Sequence, residues 1–490
     1  MKIATRTLVA DALTPVRAYA ALRQADPEGA SFLLESVVGG ERWGRWSILG
    51  YRPRYEAVLD RQGWKLHPGS GDPTGARLPS FEPTDGDPIA SSGPLFARAQ
   101  ANEASEGAAP SSMAARFAAA HVGYLAWDIV HLIEKVPPGS DATWSKHFVP
   151  LARFLGGATV VVFDALAQTV TIAAEDEADV ERALADLERP VVLRDIKVPD
   201  RSRIPSNVTT DLDDESYKQR VLQAQEYIAA GDAFQIVLAR TFSVPREGRD
   251  PFDVYRAMRL VNPSPYMYFL DLPGTPGGGG ERLRIAGASP ETMVRLEDGA
   301  MTVRPLAGTR PRGKTPEEDA RLEAELLADP KERAEHVMLI DLGRNDVGRV
   351  ARIGSVELLR KMEIERYSHV MHIVSEVRGQ VPPEVPPLEV ARAAFPAGTL
   401  SGAPKVRAMQ IIRELEARPR GIYGGAIGYV GADGDLDLAI AIRTLVCKGD
   451  TFEVTAGAGV VEASDPQSEA DETRNKARGV LCAIEAAPAT

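Results

Sequence analysis

The stretch Asp329-Pro-Lys-Glu-Arg-Ala-Glu-His-Val-Met-Leu-Ile-Asp-Leu-Gly-Arg-Asn-Asp346 carries the start and stop signals of a helix. Asp329 can cap its N-terminus, and Pro330 suits the first helical position. Gly343 is a natural stop signal, so the pattern predicts a helix that ends near this glycine.

The first turns of this helix are acidic. Glu332 and Glu335 are three residues apart, so their carboxylates share one face. One explanation is local, because Asp329-x-x-Glu332 mimics a capping box and acidic side chains near an N-terminus suit the helix dipole. The other explanation is a site for a cation.

A second stretch favours the cation site. Asp465-Pro-Gln-Ser-Glu-Ala-Asp-Glu-Thr-Arg-Asn-Lys476 again places a capping aspartate before a proline. Its Glu469, Glu472 and Lys476 line one helix face. Two acidic helix starts can converge on one Mg²⁺, which prefers a few carboxylates, waters and oxygens of an anionic substrate.

The composition is that of a folded, soluble chain. Its 490 residues exceed one ordinary core, so we expect several compact units or one large sheet assembly. The net charge of −12 argues against nucleic acid or anionic lipid as the main partner. Such a charge still allows a locally basic pocket for an anionic substrate.

Neither the cysteines nor the N-terminus indicate secretion. Cys447 and Cys482 lie in apolar segments and provide neither a disulfide framework nor a metal cluster. Residues 1–15 lack an apolar signal core, and no apolar run is long enough to span a bilayer. We therefore expect a cytoplasmic protein.

A stretch rich in proline and charge, residues 198–213, is predicted to be a linker between segments 1–197 and 214–490. Soon after it, the run from Phe234 to Phe242 has the composition of a strand. Gln235 would face away from its apolar neighbours on that strand.

Three turn signals place distant residues together. Asp298-Gly299 predicts a hairpin that sets Glu291 opposite Leu306, with Gly308-Thr309 at the same open end. Asp433-Gly434 predicts a second hairpin, and Gly449-Asp450 predicts a third reversal. The residue pairs that these two turns imply are Tyr423 with Thr444, Gly424 with Arg443, and Arg443 with Ala456-Gly457.

Tyr423, Arg443 and Gly457-Ala-Gly459 would then be neighbours at one end of an antiparallel meander. A guanidinium fork, a phenol and glycine-exposed amides form a plausible carboxylate pocket. Plain sheet structure explains the same residues equally well, so the pattern alone leaves both interpretations open.

Two glycine motifs are misleading. Gly308-Thr-Arg-Pro-Arg-Gly-Lys-Thr315 satisfies the Walker A pattern, but Pro316 and three acids follow where a helix should open beside phosphates. Gly457-x-Gly459 lacks the third glycine and the helix of a dinucleotide-binding loop. We expect no nucleotide site at either motif.

Eight motifs in one order resemble the chorismate-utilising enzymes, from about residue 33 to 485 and most strongly after residue 211. They are Gly287-Ala-Ser-Pro-Glu291, Pro305-Leu-Ala-Gly-Thr-Arg310, Glu332-Arg-Ala-Glu335-His, Asp341-Leu-Gly-Arg-Asn-Asp346, Met371-His372, Gly398-Thr-Leu-Ser-Gly-Ala-Pro-Lys405, Gly421-Ile-Tyr-Gly-Gly425 and Gly457-Ala-Gly459.

The resemblance implies an α+β fold, an antiparallel β-sandwich with helices packed outside and with N- and C-terminal segments interleaved. Segment 1–197 would carry regulatory strands that bind tryptophan, and segment 214–490 would bind chorismate. The boundary at 198–213 is therefore one of sequence rather than of two separate globules.

The resemblance also implies residue roles. Glu335 and Glu472, with Glu469 beside them, would hold Mg²⁺ at the ring carboxylate of chorismate. Glu291 would protonate the departing C4 hydroxyl, which requires a raised pKa, and His372 would remove the C2 proton. Taken alone, His372 would more often be a structural strand histidine. The other implied catalytic residues are Glu332, Gln235, Thr399 and Lys476, and the implied substrate-binding residues are Gly308, Thr309, Tyr423, Arg443, Gly457, Ala458 and Gly459.

Two positions indicate the branch of the family. Isochorismate and salicylate synthases carry a water-activating lysine where this chain has Gln235, which cannot act as that base. Aminodeoxychorismate synthases usually carry a lysine where Ala307 stands. The chain is therefore most similar to the anthranilate-forming enzymes, with aminodeoxychorismate synthase component I as the alternative. An isochorismate synthase and a non-catalytic tryptophan-sensing relative are further alternatives.

A tryptophan feedback site is implied by Leu33-Leu-Glu-Ser36 together with Asn262-Pro-Ser-Pro-Tyr-Met267. A polar pair that closes an apolar run suits an amino acid ligand, although a buried strand and a proline turn would look alike. The candidate residues are Glu35, Ser36, Pro263, Ser264, Pro265, Tyr266 and Met267.

Ammonia is the expected nucleophile. Neither cysteine lies in a nucleophile-like turn, so we expect ammonia or glutamine to be supplied by a separate glutamine amidotransferase subunit. The resemblance implies a heterotetramer of the two subunits, with L-tryptophan as inhibitor.

Overall fold

The computed structural model describes residues 3–36, 44–79, 87–93, 95–96, 112–138, 149–274, 280–367, 370–416 and 418–489. Within these ranges the strands form two antiparallel sheets, one of twelve strands and one of eleven. In chain order the strands are β1 Ala4–Val9, β2 Ser31–Glu35, β3 Trp46–Tyr51, β4 Tyr55–Asp60, β5 Gly63–Pro68, β6 His121–Leu125, β7 Ala152–Gly156, β8 Thr159–Asp164, β9 Thr169–Ala174, β10 Thr209–Thr210, β11 Gln235–Pro245, β12 Tyr266–Leu272, β13 Leu283–Ser289, β14 Thr292–Glu297, β15 Ala300–Val303, β16 Leu306–Pro311, β17 Glu357–Arg366, β18 Val370–Gln380, β19 Gly402–Ala403, β20 Ala426–Val430, β21 Leu436–Ile440, β22 Thr444–Lys448 and β23 Thr451–Val460.

Helices lie outside the sheets. They are α1 Pro15–Ala25, α2 Met113–Ala118, α3 Val130–Ile133, α4 Glu177–Leu187, α5 Asp214–Ala229, α6 Pro251–Val261, α7 Pro316–Ala328, α8 Pro330–Gly348, α9 Pro387–Ala394, α10 Gly398–Ser401, α11 Lys405–Leu415 and α12 Pro466–Ala486, with 3-10 turns at Ala90–Ser92 and Trp127–Ile129. No helix in the described ranges is long and apolar enough to cross a membrane.

Both sheets mix early and late strands, which confirms the predicted interleaved α+β sandwich. The twelve-stranded sheet has the order β1-β9-β8-β3-β2-β12-β13-β22-β23-β11-β10, with β19 on β11. The eleven-stranded sheet has the order β16-β18-β15-β14-β21-β20-β6-β7-β4-β5, with β17 on β18. Residues of both sheets, among them Phe32, Val160, Tyr124 and Ile427, share one buried apolar cluster that joins the two layers.

The predicted end of the acidic helix is wrong, because α8 continues through Gly343 to Gly348. A side chain at Gly343 would place its Cβ 3.1 Å from Val303 Cγ2 and 3.4 Å from Pro305 Cγ. The glycine therefore lets the helix approach the sheet closely instead of ending it.

The hairpin at Asp298-Gly299 is confirmed, with both residues at positive φ and Glu297 paired with Ala300. The predicted pairing of Glu291 with Leu306 does not occur as a ladder. Strand β15 ends at Val303, and β16 pairs with β18 instead.

The register predicted from Asp433-Gly434 is wrong by one residue. A five-residue loop, closed by the Gly431 amide donating to the Asp435 carbonyl at 2.7 Å, sets Val430 opposite Leu436. The chain then leaves one sheet after β21 and enters the other at β22, so Tyr423 does not pair with Thr444.

Candidate active site

One cavity of about 430 Å³, here called the carboxylate cavity, lies between the starts of α8 and α12 and the ends of several strands. It brings together all of the predicted catalytic, substrate-binding and metal residues except Ala458, which is buried within β23. The residues that line it include Gln235, Glu291, Gly308, Thr309, Glu332, Glu335, His372, Thr399, Tyr423, Arg443, Gly457, Gly459, Glu469, Glu472 and Lys476.

Capping fixes the direction of both acidic helices. The Asp329 carboxylate accepts from the Lys331 and Glu332 amides, and the Asp465 carboxylate accepts from the Ser468 amide at 2.8 Å. The following one to two turns then point their glutamates into the carboxylate cavity. Capping and a shared acidic site are therefore both features of the same helix starts.

Polar neighbours hold these glutamates. Gln235 Nε2 donates to Glu335 Oε1 at 3.2 Å, and Lys476 Nζ lies 2.7 Å from Glu472 Oε1. Burial raises the pKa of Glu469, and the nearby Glu472 carboxylate adds to that shift. Both helices therefore contribute carboxylates to one space, and on α12 those of Glu469 and Glu472 interact.

A magnesium ion fits this donor set only in part. The carboxylates are hard oxygen ligands, which suit Mg²⁺ when waters and substrate oxygens complete the shell. In the part of the chain that the structure describes, no three His, Cys, Asp or Glu side chains converge closely enough to form a metal cluster. The protein alone therefore offers carboxylates on facing helices rather than a closed cage.

Glu291 has the environment of a general acid. Burial raises its pKa to about 7, an effect that a hydrogen bond from Thr399 and the charges of Lys476 and Arg443 oppose. Thr399 Oγ1 donates to Glu291 Oε1 at 3.1 Å. At neutral pH a substantial fraction of this carboxyl group therefore carries a proton.

His372 has the environment of a general base. Its Nδ1 lies 2.9 Å from the Gly308 carbonyl oxygen, which can only accept, so Nδ1 carries the proton of the neutral ring. Burial lowers the pKa of His372, so the ring is neutral near pH 7. Nε2 is then the basic nitrogen, and the β16–β18 ladder that pairs Thr309 with His372 fixes the ring's position.

Arg443 lies between the two sheets in sequence and has a positive φ of 49°. Among the described residues, its guanidinium has one hydrogen bond, a 3.4 Å contact from Nη1 to Asn262 Oδ1, and no carboxylate at ion-pair distance. Burial lowers its pKa. A half-buried cation without a carboxylate at ion-pair distance is well suited to an anionic ligand.

The glycines of β23 keep the floor of the cavity open. A Cβ at Gly457 would lie 2.8 Å from Tyr423 Oη and 2.8 Å from the Leu238 carbonyl oxygen. A Cβ at Gly459 would lie 2.8 Å from Gln235 Nε2. Gly457 therefore requires glycine, because the Leu238 backbone is fixed, whereas a side chain at Gly459 would displace the end of the Gln235 side chain.

Comparison with known proteins identifies the family of this chain. Residues 80–481 match the family described as chorismate binding enzyme. The chain belongs to the chorismate-binding enzyme family. It is 42% identical to anthranilate synthase component 1 of Cereibacter sphaeroides over 98% of this chain and 93% of that one. It is also 42% identical to anthranilate synthase component 1 of Pseudomonas putida, over 100% of this chain and 96% of that one.

Solved structures of the chorismate-binding enzymes share the fold. Anthranilate synthase component I from Streptococcus pneumoniae superposes with a TM-score of 0.72 and 32% identity, covering 97% of this chain and 99% of that one. The menaquinone-specific isochorismate synthase of Escherichia coli has a TM-score of 0.69 at 17% identity, over 99% of this chain and 95% of that one, which supports the fold alone.

The Walker-like stretch is not a phosphate loop, although one reason given for that prediction is wrong, because α7 does begin directly after Thr315. Its first residues belong to strand β16. The amides of Gly313 and Lys314 donate to the carboxylates of Asp319 and Glu318, at 2.8 and 2.7 Å. Acidic side chains therefore occupy the donors that a phosphate would need.

A second cavity of about 260 Å³, here called the inter-sheet cavity, is lined by residues of both sheets. It includes Glu35, Ser36, Pro265, Tyr266 and Met267 of the predicted tryptophan site. Pro263 and Ser264 instead line a cavity of about 800 Å³ that adjoins the carboxylate cavity. The structure thus gathers five of the seven candidates.

Polar groups in the inter-sheet cavity are mostly paired. Glu35 accepts from Tyr255 Oη at 2.7 Å and lies 3.0 Å from Arg259 Nε. Asp437 accepts from Tyr266 Oη at 2.8 Å. Ser36 Oγ is buried without a partner in the described ranges, so it is available to a ligand.

Two residues of the site were missed by sequence reasoning. Lys331 lines the carboxylate cavity beside Glu332. Its place in the first turn of the helix, directly after Asp329 and Pro330, could have predicted this position. The Tyr367 ring packs edge-on against His372, with centroids 5.6 Å apart. No local pattern marks Tyr367, because this contact depends on the pairing of β17 with β18.

Proposed function

We propose that this chain converts chorismate and ammonia to anthranilate and pyruvate through 2-amino-2-deoxyisochorismate, as in the first step of tryptophan biosynthesis. The observation that carries the proposal is the placement in one cavity of a carboxyl group with a pKa of about 7, a neutral histidine and a half-buried arginine that has no carboxylate at ion-pair distance in the described chain.

The first step is an amination. Arg443, Tyr423 and the amides around Gly457 and Gly459 bind the enolpyruvyl carboxylate. Ammonia adds at C2 while the C4 hydroxyl leaves, and Glu291 gives its proton to that hydroxyl to release water. Thr399 orients the carboxyl group of Glu291 for this transfer.

The second step eliminates pyruvate. Nε2 of His372 takes the C2 proton, the ring C–O bond to the enolpyruvyl group breaks, and the ring becomes aromatic. The leaving group departs as the enolate of pyruvate, and a proton added to its methylene carbon gives pyruvate. Gly308 keeps the proton of His372 on Nδ1, so Nε2 is available for this transfer.

Magnesium is proposed as the cofactor, held by Glu335 and Glu472 with Glu469 and Glu332 beside them. When bound, the ion would neutralise the ring carboxylate of chorismate and orient the ring. Gln235 holds Glu335 in place for this role, and Lys476 does the same for Glu472.

Ammonia is proposed to come from a separate glutamine amidotransferase subunit, in a heterotetramer, and L-tryptophan is proposed to inhibit from the inter-sheet cavity. The relatives named component 1 support the need for a second component. Ser36 Oγ, buried without a partner in the described chain, supports a polar ligand beside it.

The test is a product assay with purified protein, chorismate, ammonium and Mg²⁺, with and without tryptophan. Fluorescent anthranilate without any added lyase is the expected product. Accumulation of an amino-chorismate instead would favour aminodeoxychorismate synthase. Isochorismate as the product would contradict ammonia as the nucleophile, which Gln235 in the cavity wall supports.

A further inference from the structure

A buried ion pair lies behind the wall of the carboxylate cavity and takes no part in the proposed chemistry. Lys405 Nζ lies 2.8 and 2.9 Å from the two carboxylate oxygens of Asp346. Their side chains are only 10% and 7% exposed. A pair this buried costs desolvation energy, so its presence calls for a structural or functional reason.

The pair connects two elements that line the cavity. Asp346 lies on α8, the same helix that presents Glu332 and Glu335. Lys405 opens α11, directly after segment 394–404, which carries Thr399. The pair therefore bridges the helix of the proposed metal carboxylates and the segment of the hydroxyl that binds Glu291.

Lys405 also closes the segment on itself. Its Nζ lies 3.4 Å from the Ala394 carbonyl oxygen, so one ammonium group connects both ends of segment 394–405. The middle of the segment is seated on α8 at Gly398, where a Cβ would lie 2.8 Å from Leu342 Cδ1. Arg420 Nη1 donates to the Leu400 carbonyl at 2.6 Å and holds the residue after Thr399.

One small cavity connects Asp346 with Glu291. This space of about 40 Å³ is lined by Glu291, Thr399, Asp346, Leu342 and Gly398. A change in the position of the segment relative to α8 therefore moves Thr399 relative to the carboxyl group that it orients.

We propose that Asp346 and Lys405 are positioning residues, which hold segment 394–405 against α8 so that Thr399 donates its hydrogen bond to Glu291. The proposal rests on the proposed role of Glu291 as the acid of the amination step. Neither residue lines the carboxylate cavity in the described structure, so both act through Thr399.

The sign of the effect follows from the surroundings of Glu291. The Thr399 hydrogen bond lowers the pKa of Glu291, against the larger effect of burial. Loss of that bond raises the pKa of Glu291, so the alkaline limb of the kcat/KM profile moves to higher pH. A less well oriented acid also lowers kcat, by about 10- to 100-fold for a displacement near 1 Å.

The experiment compares four proteins: the wild type, Thr399→Val, the double variant Asp346→Leu/Lys405→Met, and the control Glu56→Leu/Arg153→Met. The double variant removes both charges together, because a single substitution would leave a buried charge unpaired. The control removes another buried pair, Glu56 with Arg153, whose described hydrogen bonds and ion pairs do not reach segment 394–405.

Asp346→Leu/Lys405→Met is expected to shift the alkaline limb in the same direction as Thr399→Val, with reduced kcat and with KM for chorismate within about threefold. Hydrogen–deuterium exchange in segment 394–405 is expected to be faster than in the control. A wild-type limb and wild-type kcat in the folded double variant would overturn the proposal, as would the same loss in the control.

Asp346→Glu decides the question if the double variant does not fold, because it keeps both charges and lengthens the connection by one methylene. A limb shift of the same sign supports the pair's positioning role, and an unchanged limb and kcat contradict it. If the wild type makes no anthranilate, the proposed function is contradicted. Unaltered hydrogen–deuterium exchange in the double variant would contradict only the positioning role.

Discussion

The carboxylate cavity and the inter-sheet cavity are both lined by charged side chains, yet their charges are arranged differently. In the inter-sheet cavity Glu35 and Asp437 each lie within 3.0 Å of an arginine. In the carboxylate cavity Arg443 has no acidic partner in the described chain, and the pKa of Glu291 rises to about 7. Perturbed ionisable groups are typical of reactive sites, whereas an apolar pocket with a few placed polar groups is typical of a site that only binds.

The largest expected effect comes from removing the acidic faces of the carboxylate cavity. Glu335→Ala and Glu472→Ala should each lower chorismate consumption by about 1,000-fold or more, because the ring carboxylate loses its cation. Chorismate absorbance with ammonium and Mg²⁺ is the measurement. Asp341→Ala, an exposed acid on the same α8 helix, is the matched control. Near wild-type turnover in either variant would remove that glutamate from the site.

The next effect separates the two chemical steps. His372→Ala should lower anthranilate formation by about 100- to 10,000-fold through loss of the base, while chorismate is still consumed. The aminated intermediate should accumulate and be detectable by mass spectrometry. Loss of both activities in parallel would mean that His372 serves the amination as well.

The pH profile tests the contrast between Glu291 and His372. Glu291 acts while protonated, so kcat/KM of the free enzyme should fall as pH rises through about 7, tenfold per pH unit. His372 acts while neutral, and its pKa is lowered by burial, so the acid limb should lie below the ordinary histidine range. An alkaline limb that persists unchanged in Glu291→Gln would assign it to another group.

The smallest effect on catalysis is expected in the inter-sheet cavity. Ser36→Leu should raise the tryptophan concentration for half-inhibition by about tenfold or more, a free-energy change of about 1.4 kcal/mol, and leave uninhibited turnover within about twofold. Ser264→Ala is the control, since Ser264 lines the other, larger cavity. Unchanged inhibition in Ser36→Leu would exclude this cavity as the tryptophan site.

The sequence predicted those features that are local or repeated. The caps at Asp329 and Asp465 and the turn at Asp298-Gly299 are confirmed, because each depends on neighbouring backbone groups. The prediction that Gly343 ends the helix was wrong. A glycine is needed there because Val303 and Pro305 pack closely against this position across the helix–sheet interface. Such close approaches have no local signature.

The residues that line the carboxylate cavity were predicted mainly from the order of eight motifs, not from the strand pairings inferred from turn positions. The hairpin at residues 431–435 shifted the register by one, and β22 lies in a different sheet from β21. Arg443 and Tyr423 nevertheless meet in the cavity, because both flank the short connection between the sheets. The prediction that Tyr423 and Arg443 are neighbours was therefore right, although the strand pairing from which it was inferred was partly wrong.

Residues 441–443 cross from one layer of the sandwich to the other in three positions, and Arg443 is the last of them. A connection this short has almost no slack. A ligand in the inter-sheet cavity that changed the spacing of the two sheets would shift the backbone of residues 441–443. The guanidinium of Arg443 would then move in the carboxylate cavity. The two cavities are therefore connected through a segment of only three residues.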